Sequence, residues 1–334
     1  MVKAVISGYY GYKNFGDELI SDVLIKHLNA LEIDITVLSG NVDYTKSKNN
    51  VYAVNRFDIR KIVGEIKSCD FLISGGGSLL QDVTSLKSLV YYLFIIAIAI
   101  LFNKKVIIFA QGIGPINNKF AKLITKNLLK LCGYISVRDE NSLNLLKSWG
   151  IKADLVCDPV FSLEADCTKK TNSVGIQLRD FKTMNYNLLQ KLAQLAAYKF
   201  SDRKIEIFSL QESFDLEISK KFENILKTIN PEIKTEIVTD NIAERISQLE
   251  YMIGMRFHAL LVAIKSGVKT CAINYDIKVE KLAQSVKIPI ISLNGEESFE
   301  KIYYELENLK SEELLRFSEN NMFDWSGFDG YISA

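Results

Sequence analysis

Three side chains suited to binding an anion lie around one short apolar segment of the sequence. Arg256 and His258 precede the run ALLVAI, which ends before Gly267, and Lys278 follows the next apolar stretch. The run predicts a buried helix with His258 at or near its N-terminus. Unpaired backbone N–H groups and the positive end of the helix dipole favour a bound phosphate or carboxylate there. The alternative for His258 is a core histidine that donates to a backbone carbonyl.

The first glycine-rich loop, GYYGYKNFGDE, carries two carboxylates where a phosphate-binding loop has Lys and Ser or Thr. Asp17 and Glu18 would repel a nucleotide phosphate. Carboxylates can instead accept hydrogen bonds from sugar hydroxyls, or take a proton from a hydroxyl that acts as a nucleophile. Two interpretations stay open: Asp17 only caps the following helix, or Asp17 and Asn14 belong to a site for a hydroxylated ligand.

Two further glycine-containing loops follow predicted strands. The segment 75–78 (GGGS) comes directly after the apolar run DFLIS, and Gln111 begins the turn QGIGP after KVIIFA. Glycine lets the backbone approach a ligand closely or turn tightly, and close packing explains these loops nearly as well as binding. Because the carboxyl ends of parallel strands border ligand sites, we expect Gly76 and Gln111 to line one.

Arg138 follows the predicted strand YISV, which places a guanidinium at the carboxyl end of the sheet. An ion pair with Asp139 or Glu140 is the alternative to a role in binding. Arg179 follows the strand SVGIQL in the same way, with weaker support.

Apolar strands alternate with helices along most of the chain, which is typical of parallel sheets covered on both faces. The polar segment 159–172 interrupts the alternation, so we place a domain boundary there. The predicted organisation is an N-terminal domain at residues 1–158, a linker at 159–172, a C-terminal domain at 173–297 and a helical segment at 298–334 that packs back across the domains. We therefore predict an α/β protein with two doubly wound Rossmann-like domains facing across a ligand cleft.

Length and composition exclude several classes of protein. A chain of 334 residues is long enough for two cores. Its net charge of +1 gives no general attraction to nucleic acid, so any anion site must be local. Five cysteines without a CxxC pair, and a start that runs directly into a strand, predict a cytosolic protein. The two histidines are far apart, which argues against a zinc site.

The most hydrophobic stretch, Leu89 to Phe102, is shorter than the roughly 18 to 20 residues that cross a bilayer. We expect a buried helix here. The alternative is a helix that lies at an interface.

Seven segments of the chain resemble, in order and near spacing, the polysaccharide pyruvyl transferases, in particular the CsaB-type enzymes of bacterial cell-wall polysaccharide assembly. They are GYYGYKNFGDE, SGGGSLLQDVTS, AQGIGP, SVRDE, CDPVF, GMRFHALLVAI and NYDIKVEKL. The resemblance covers about residues 4–282. Nothing matches between Asp166 and Thr171 or after about residue 290.

The resemblance implies a fold similar to GT-B glycosyltransferases, in agreement with the two domains inferred from strand and helix alternation. It implies transfer of the pyruvyl group of phosphoenolpyruvate onto two hydroxyls of one sugar, which forms a cyclic ketal and releases phosphate. In CsaB-type members the acceptor is an N-acetylmannosamine residue of a lipid-linked disaccharide, ketalised at O4 and O6.

Carried over residue by residue, the implied donor site comprises Arg138, Arg256, His258 and Lys278, and the implied acceptor side comprises Asn14 and Asp17. Phosphoenolpyruvate carries a phosphate and a carboxylate, so it needs several cations at close quarters. We expect His258 to act as general acid or phosphate partner, Lys278 and Arg138 as clamps, and Asp17 as base toward the acceptor. Phosphoenolpyruvate is a substrate, and the scheme requires no cofactor and no metal.

Two rival functions use the same fold. A GT-B glycosyltransferase would use a nucleotide sugar and release nucleotide, and a non-catalytic carbohydrate-binding protein would not need the cations. The expected partners are phosphoenolpyruvate and a glycan acceptor. A lipid-linked acceptor would bring a cytoplasmic enzyme to the inner face of the membrane, and peripheral membrane contact is expected in that case.

Overall fold

The computed structural model describes residues 2–163, 170–181 and 185–334. The chain forms two compact units: unit 1 comprises Met1–Ser162 and Met322–Ala334, and unit 2 comprises Leu163–Asn321. The division falls inside the segment 159–172, of which residues 164–169 lie outside the described residues. The segment 298–334 is divided between the units, because its last thirteen residues belong to unit 1.

Unit 1 alternates strands with helices. Its elements are β1 (Lys3–Ser7), α1 (Phe15–Ala30), β2 (Asp34–Ser39), α2 (Val42–Asn49), β3 (Tyr52–Asn55), α3 (Ile59–Ser68), β4 (Phe71–Ser74), β5 (Gly77–Leu80), α4 (Leu86–Leu101), β6 (Lys105–Ile113), α5 (Lys119–Leu129), β7 (Tyr134–Val137), α6 (Glu140–Ser148), β8 (Asp154–Leu155) and a 3₁₀ turn (Pro159–Ser162). Helices α2 to α6 each follow an Asn, Asp or Ser whose side chain accepts a hydrogen bond from the first turn. Such caps explain where these helices begin.

Unit 2 repeats the pattern. Its elements are β9 (Ser173–Gln177), α7 (Tyr186–Lys199), β10 (Lys204–Phe208), α8 (Glu212–Ile229), β11 (Thr235–Val238), α9 (Ile242–Ser247), β12 (Tyr251–Gly254), α10 (Phe257–Lys265), β13 (Lys269–Asn274), α11 (Ile277–Val286), β14 (Ile290–Ser292), α12 (Phe299–Glu307) and α13 (Ser311–Asn320). A last helix, α14 (Ser326–Ser333), lies in unit 1.

Both sheets pair in parallel and reverse their strand order once. The order is β3-β2-β1-β4-β6-β7-β8 in unit 1, with β5 beside β6, and β11-β10-β9-β12-β13-β14 in unit 2. Each unit is therefore a doubly wound Rossmann-like domain, as predicted. The order reverses between β1 and β4 in unit 1 and between β9 and β12 in unit 2. In such sheets ligands bind beyond the carboxyl ends of the strands at these reversal points.

The hydrophobic helix α4 has two different sides. Seven residues face the core of unit 1, among them Leu89, Tyr92 and Ile96. Leu86, Val90 and the other residues of a second stripe are exposed. The expectation of a buried helix was therefore only half right. In the described residues, none of the helices combines the length and hydrophobicity needed to span a bilayer.

The C-terminal helix α14 packs on unit 1 through a cluster of aromatic side chains. Phe328 of α14 is fully buried, with its ring 5.3 Å from Phe109 of β6 and 5.5 Å from Trp325. His27 of α1 stacks on Trp325 at 3.6 Å and contacts Asp329 at 2.7 Å. One of the two histidines of the chain therefore has a structural role, and the last helix completes the core of unit 1.

Replacing Phe328 with Ala should lower the free energy of unfolding by about 3–5 kcal/mol, because the substitution removes a buried ring and leaves a cavity. Urea unfolding followed by circular dichroism measures this loss. Tyr304→Ala, at an aromatic residue that is 70% exposed on α12, is the control and should change stability little. Equal effects of the two substitutions would contradict the structural role of Phe328.

Candidate active site

The predicted anion site lies at the start of α10. Strand β12 ends at Gly254, Arg256 occupies the N-cap position, and His258 is the second residue of the helix. The buried side chain of Gln177, at the end of β9, accepts hydrogen bonds through Oε1 from the N–H groups of Met255 (3.2 Å) and Arg256 (2.7 Å). Strand β9, which pairs with β12 where the strand order reverses, thus fixes the start of α10 through Gln177.

A fully buried carboxylate fixes the guanidinium of Arg256. Nε of Arg256 donates to Oδ2 of Asp215 at 2.9 Å, and Nη2 donates to Oδ1 at 2.7 Å. Oδ2 of Asp215 also accepts from the N–H groups of Leu210 (3.0 Å) and Gln211 (3.1 Å). The Arg256 side chain is 12% exposed. Its Nη1 group is not engaged by any residue in the described part of the chain, so it can donate to a ligand.

Lys278 lies at the start of the next helix. Strands β12 and β13 are neighbours, with Gly254 opposite Ala272, so α10 and α11 begin at the same edge of the sheet. Asp276 caps α11 by accepting from the N–H of Lys278 at 2.8 Å, and the Lys278 side chain is exposed. The sheet of unit 2 therefore brings Arg256, His258 and Lys278 to one edge with two helix N-termini, which suits an anion with more than one charged group.

Arg179 follows β9 at this edge, and its guanidinium lies 5.5 Å from the ring of Phe214. Its weaker prediction as a binding residue stays a prediction.

Sequence reasoning missed Asp215 and Gln177. Asp215 shares the buried face of α8 with Ile218, Phe222 and Leu226. An acidic residue at this spacing on an apolar face is a signal that a buried cation lies opposite. Gln177 had a similar signal, because it follows the apolar run VGI at the end of its strand.

The two carboxylates of the first loop have different environments. Glu18 is buried and accepts from the N–H of Gly11 at 2.8 Å, which closes the loop onto α1. Burial raises the pKa of Glu18, and Lys48 at 3.7 Å opposes this shift. Asp17 is only partly buried. The N-cap position of α1 belongs to Asn14 and not to Asp17, so simple capping does not explain Asp17.

The triple-glycine loop packs tightly against α1. A Cβ atom on Gly76 would lie 2.6 Å from Cγ2 of Ile20, and one on Gly77 would lie 2.5 Å from Oδ1 of Asp17. Gly77 also has a φ of +96°, which favours glycine. Close packing thus accounts for both glycines, and acceptor binding by Gly76 stays a prediction. The loop leads into strand β5 before the next helix begins.

The side chain of Gln111 forms hydrogen bonds with the residues that begin this loop. Ala110 has a φ of +45°, and the register of β6 with β7 shifts between Ile108 and Gln111. The buried Gln111 side chain donates to both oxygens of Ser74 (3.1 and 2.8 Å) and to the carbonyl of Gly75 (2.9 Å). These bonds position the loop, whereas direct acceptor binding by Gln111 stays a prediction.

Arg138 lies at the carboxyl end of β7, in unit 1. Its Nη1 donates to Oδ2 of Asp158 at 2.6 Å, and both side chains are largely buried. The ion pair considered from sequence was therefore with the wrong acidic residue, since Asp139 caps α6 instead. Arg138, Asn14, Asp17, Gly76 and Gln111 belong to unit 1, and the other three predicted residues belong to unit 2.

A second arginine of unit 1 was missed. Arg56 follows β3, is only 5% exposed, and lies 4.2 Å from the ring of Tyr91 and 5.6 Å from that of Tyr12. Its Nη1 donates to the carbonyl of Gly8 at 3.4 Å. Tyr9 stacks on Tyr12 at 4.4 Å, so Arg56 supports the tyrosines of the first loop. Arg56 was not predicted, because β3 was not recognised as a strand.

Removing the carboxylate of Asp215 should lower the free energy of unfolding by about 3–5 kcal/mol in Asp215→Ala, because the buried guanidinium loses its counter-charge. Urea unfolding measures this change. The control is Glu236→Ala, which removes a 41% exposed partner of Arg245 and should cost about 1 kcal/mol or less. If Asp215→Ala lowered the free energy of unfolding no more than the control, the Arg256–Asp215 pair would not stabilise this edge of unit 2.

Comparisons with known proteins agree with this fold. Anabaena Alr3699/HepE in complex with UDP and glucose superposes with a TM-score of 0.63 at 10% identity, covering 100% of this chain and 98% of that one. A putative UDP-N-acetylglucosamine 2-epimerase from Listeria monocytogenes gives 0.66 at 9% identity, covering 98% and 94%. The Streptomyces nogalater glycosyltransferase SnogD gives 0.57 at 11% identity, covering 96% and 94%. At these identities the likeness shows the GT-B-like fold alone.

The search of curated proteins gave no significant match. The family profile described as polysaccharide pyruvyl transferase matches residues 14–277, which include seven of the eight predicted site residues. Only Lys278 lies just beyond the matched range. A match over more than half of the chain establishes the family. This chain belongs to the polysaccharide pyruvyl transferase family.

Proposed function

We propose that this protein is a ketal-pyruvyl transferase that moves the pyruvyl group of phosphoenolpyruvate onto two hydroxyls of one sugar, O4 and O6, in a cell-wall or exopolysaccharide precursor. The CsaB-type resemblance favours a lipid-linked acceptor. The observation that carries the proposal is the guanidinium of Arg256, held by buried Asp215 at the sheet edge where the helices of His258 and Lys278 begin. A phosphate and a carboxylate on one small molecule need such directed donors.

The proposed reaction balances without a cofactor. The methylene carbon of phosphoenolpyruvate takes a proton, and the neighbouring carbon becomes an oxocarbenium-like centre that the first sugar hydroxyl attacks. The second hydroxyl of the same sugar then displaces phosphate and closes the ketal. The acceptor gains the mass of one pyruvate less one water, and one phosphate is released.

The residues of unit 2 serve the donor in this scheme. His258 is the general acid, and it lies at a helix N-terminus where the anionic donor offsets the positive dipole. Arg256 and Lys278 hold the phosphate and carboxylate and stabilise the charge that moves onto the leaving phosphate. Arg138 as a further clamp rests on the family resemblance.

The residues of unit 1 serve the acceptor. Asp17 takes the hydroxyl proton, because it is the less buried carboxylate of the first loop, while Glu18 is engaged by Gly11. Asn14, Gly76 and Gln111 form or support the acceptor side. We place the reaction in the cytoplasm, since the four described cysteines are free thiols.

Substituting His258 or Lys278 with Ala should reduce turnover by about 100-fold or more, because general acid catalysis and charge stabilisation each contribute on this scale. Phosphate release from phosphoenolpyruvate, with a synthetic lipid-linked sugar acceptor, measures turnover. The matched control is Lys281→Ala, which removes another exposed lysine of α11 and should leave turnover unchanged. Near-normal turnover of either variant would remove that residue from the site.

Asp17→Asn should lower the turnover number at least tenfold while phosphoenolpyruvate still binds, because the substitution removes the proton acceptor and leaves the cations of unit 2 intact. Isothermal titration with phosphoenolpyruvate, compared with the turnover assay, separates the two effects. The reverse pattern, weak donor binding with normal turnover, would place Asp17 outside the acceptor side.

A glycosyltransferase that uses a nucleotide sugar is the second candidate, because structurally similar proteins are described in complex with UDP or UDP-glucose. The product distinguishes the two functions: the pyruvyl transferase releases phosphate, and the glycosyltransferase releases a nucleotide. Nucleotide release without ketal formation would overturn the proposal.

A further inference from the structure

A continuous apolar groove lies on the surface of unit 1 between α4 and α5. It has a volume of about 330 Å³, and its walls include Leu86, Val90 and Phe94 of α4 and Phe120, Ile124 and Leu128 of α5. Phe120 is 80% exposed. A surface helix normally presents polar side chains to water, so this lining requires another explanation.

After Lys87 in its first turn, the exposed side of α4 carries no further charge. Leu86, Val90, Phe94, Ala97 and Leu101 follow a helical spacing, and at roughly 100° per residue they form one stripe. All five are apolar, and Leu101 is 75% exposed. The core of unit 1 is filled from the opposite side of the helix, so the fold does not require this stripe to be apolar.

Helix α5 carries exposed apolar residues and lysines on opposite flanks of its buried face. Ala121, Thr125 and Leu129 face the core. At roughly 100° per residue, Phe120, Ile124 and Leu128 lie on one flank of this buried face and the lysines lie on the other. The lysines are Lys119, Lys122 and Lys126 of α5 and Lys130, which follows it. Apolar and basic flanks along one exposed helix are typical of elements that lie in a membrane interface.

The local charge sets this region apart from the rest of the chain. Residues 83–137 contain seven lysines and no Asp or Glu, whereas the whole chain has a net charge of only +1. The carboxylate at the border, Asp82, is occupied by the N–H groups of Asn117 (2.9 Å) and Asn118 (2.7 Å). The region therefore presents a positive field next to exposed apolar side chains.

We propose that the α4–α5 face docks on a bilayer surface that contains anionic phospholipids. The apolar side chains enter the boundary between headgroups and acyl chains, and the lysines bind lipid phosphates. A second copy of this chain fits less well, because a two-fold symmetric contact would bring together two copies of a region that has seven lysines and no Asp or Glu. The proposal is independent of the pyruvyl transfer reaction, because binding needs no substrate.

Co-sedimentation of the whole protein with vesicles tests the proposal. The protein should bind vesicles of phosphatidylcholine mixed with phosphatidylglycerol, bind pure phosphatidylcholine much more weakly, and lose affinity as salt rises. The variant Phe120→Ser/Ile124→Ser should lose binding at every salt concentration. Each substitution in the series Lys122→Gln, Lys126→Gln and Lys130→Gln should weaken binding about fivefold at low salt.

The control is Tyr198→Ser/Tyr304→Ser, which removes two aromatic residues that are each 70% exposed in unit 2 and should not change vesicle binding. Circular dichroism checks that every variant is folded. Absence of binding to the anionic vesicles, or equal binding by the Phe120/Ile124 variant, would overturn the proposal. So would a dimer in sedimentation velocity that the Phe120/Ile124 variant abolishes without any vesicle binding.

Discussion

The bidentate pair of Arg256 with Asp215 is the interaction on which the candidate donor site depends. Both charges are removed from water, and such a pair is stable only when its remaining hydrogen-bonding groups are satisfied. Asp215 meets this condition by accepting from two backbone N–H groups as well. The pair is neutral as a whole, so Arg256 contributes directed donors more than net charge. Attraction for an anion must then come from Lys278, His258 and two helix N-termini, which lie at the same edge.

Unit 1 has the same topology, but the residues at the corresponding edge of its sheet are acidic. Its strand order also reverses between two central strands, and the loop after β1 leads into α1 there. The residues at that loop are acidic: Glu18 holds the loop closed, and Asp17 lies against Gly77. A parallel sheet thus decides where a site lies, and the side chains after the strands decide its charge. The tyrosines around Arg56 add aromatic surface to an edge that suits hydroxylated ligands better than phosphates.

Local patterns predicted much of this structure. Apolar strands, helix periods and loop residues placed Arg138, Arg256, His258 and Lys278 after strands or at helix starts, because strand ends and helix caps depend on neighbouring residues. The partners could not be predicted in this way. Asp215 lies 41 residues from Arg256, and Asp158 lies 20 residues from Arg138, so the tertiary fold and not the local sequence brings each pair together. The exposed side of α4 was also hidden, because the uniformly apolar stretch Leu89 to Phe102 has no alternation of polar and apolar residues to reveal it.

The position of the α4–α5 face connects the two proposals. Helix α4 follows β5 and α5 follows β6, so both begin at the edge of the unit 1 sheet where the strands end. Asp17, in the first turn of α1, lies at that same edge. Leu86 and Phe120, at the starts of these helices, therefore lie at the same edge of unit 1 as the proposed acceptor residues. An acceptor whose sugar is joined to a lipid needs a hydroxyl-binding loop and a lipid-facing surface in one rigid body. Under the two proposals unit 1 supplies both, because the residues proposed for the acceptor and the starts of α4 and α5 share one edge of its sheet.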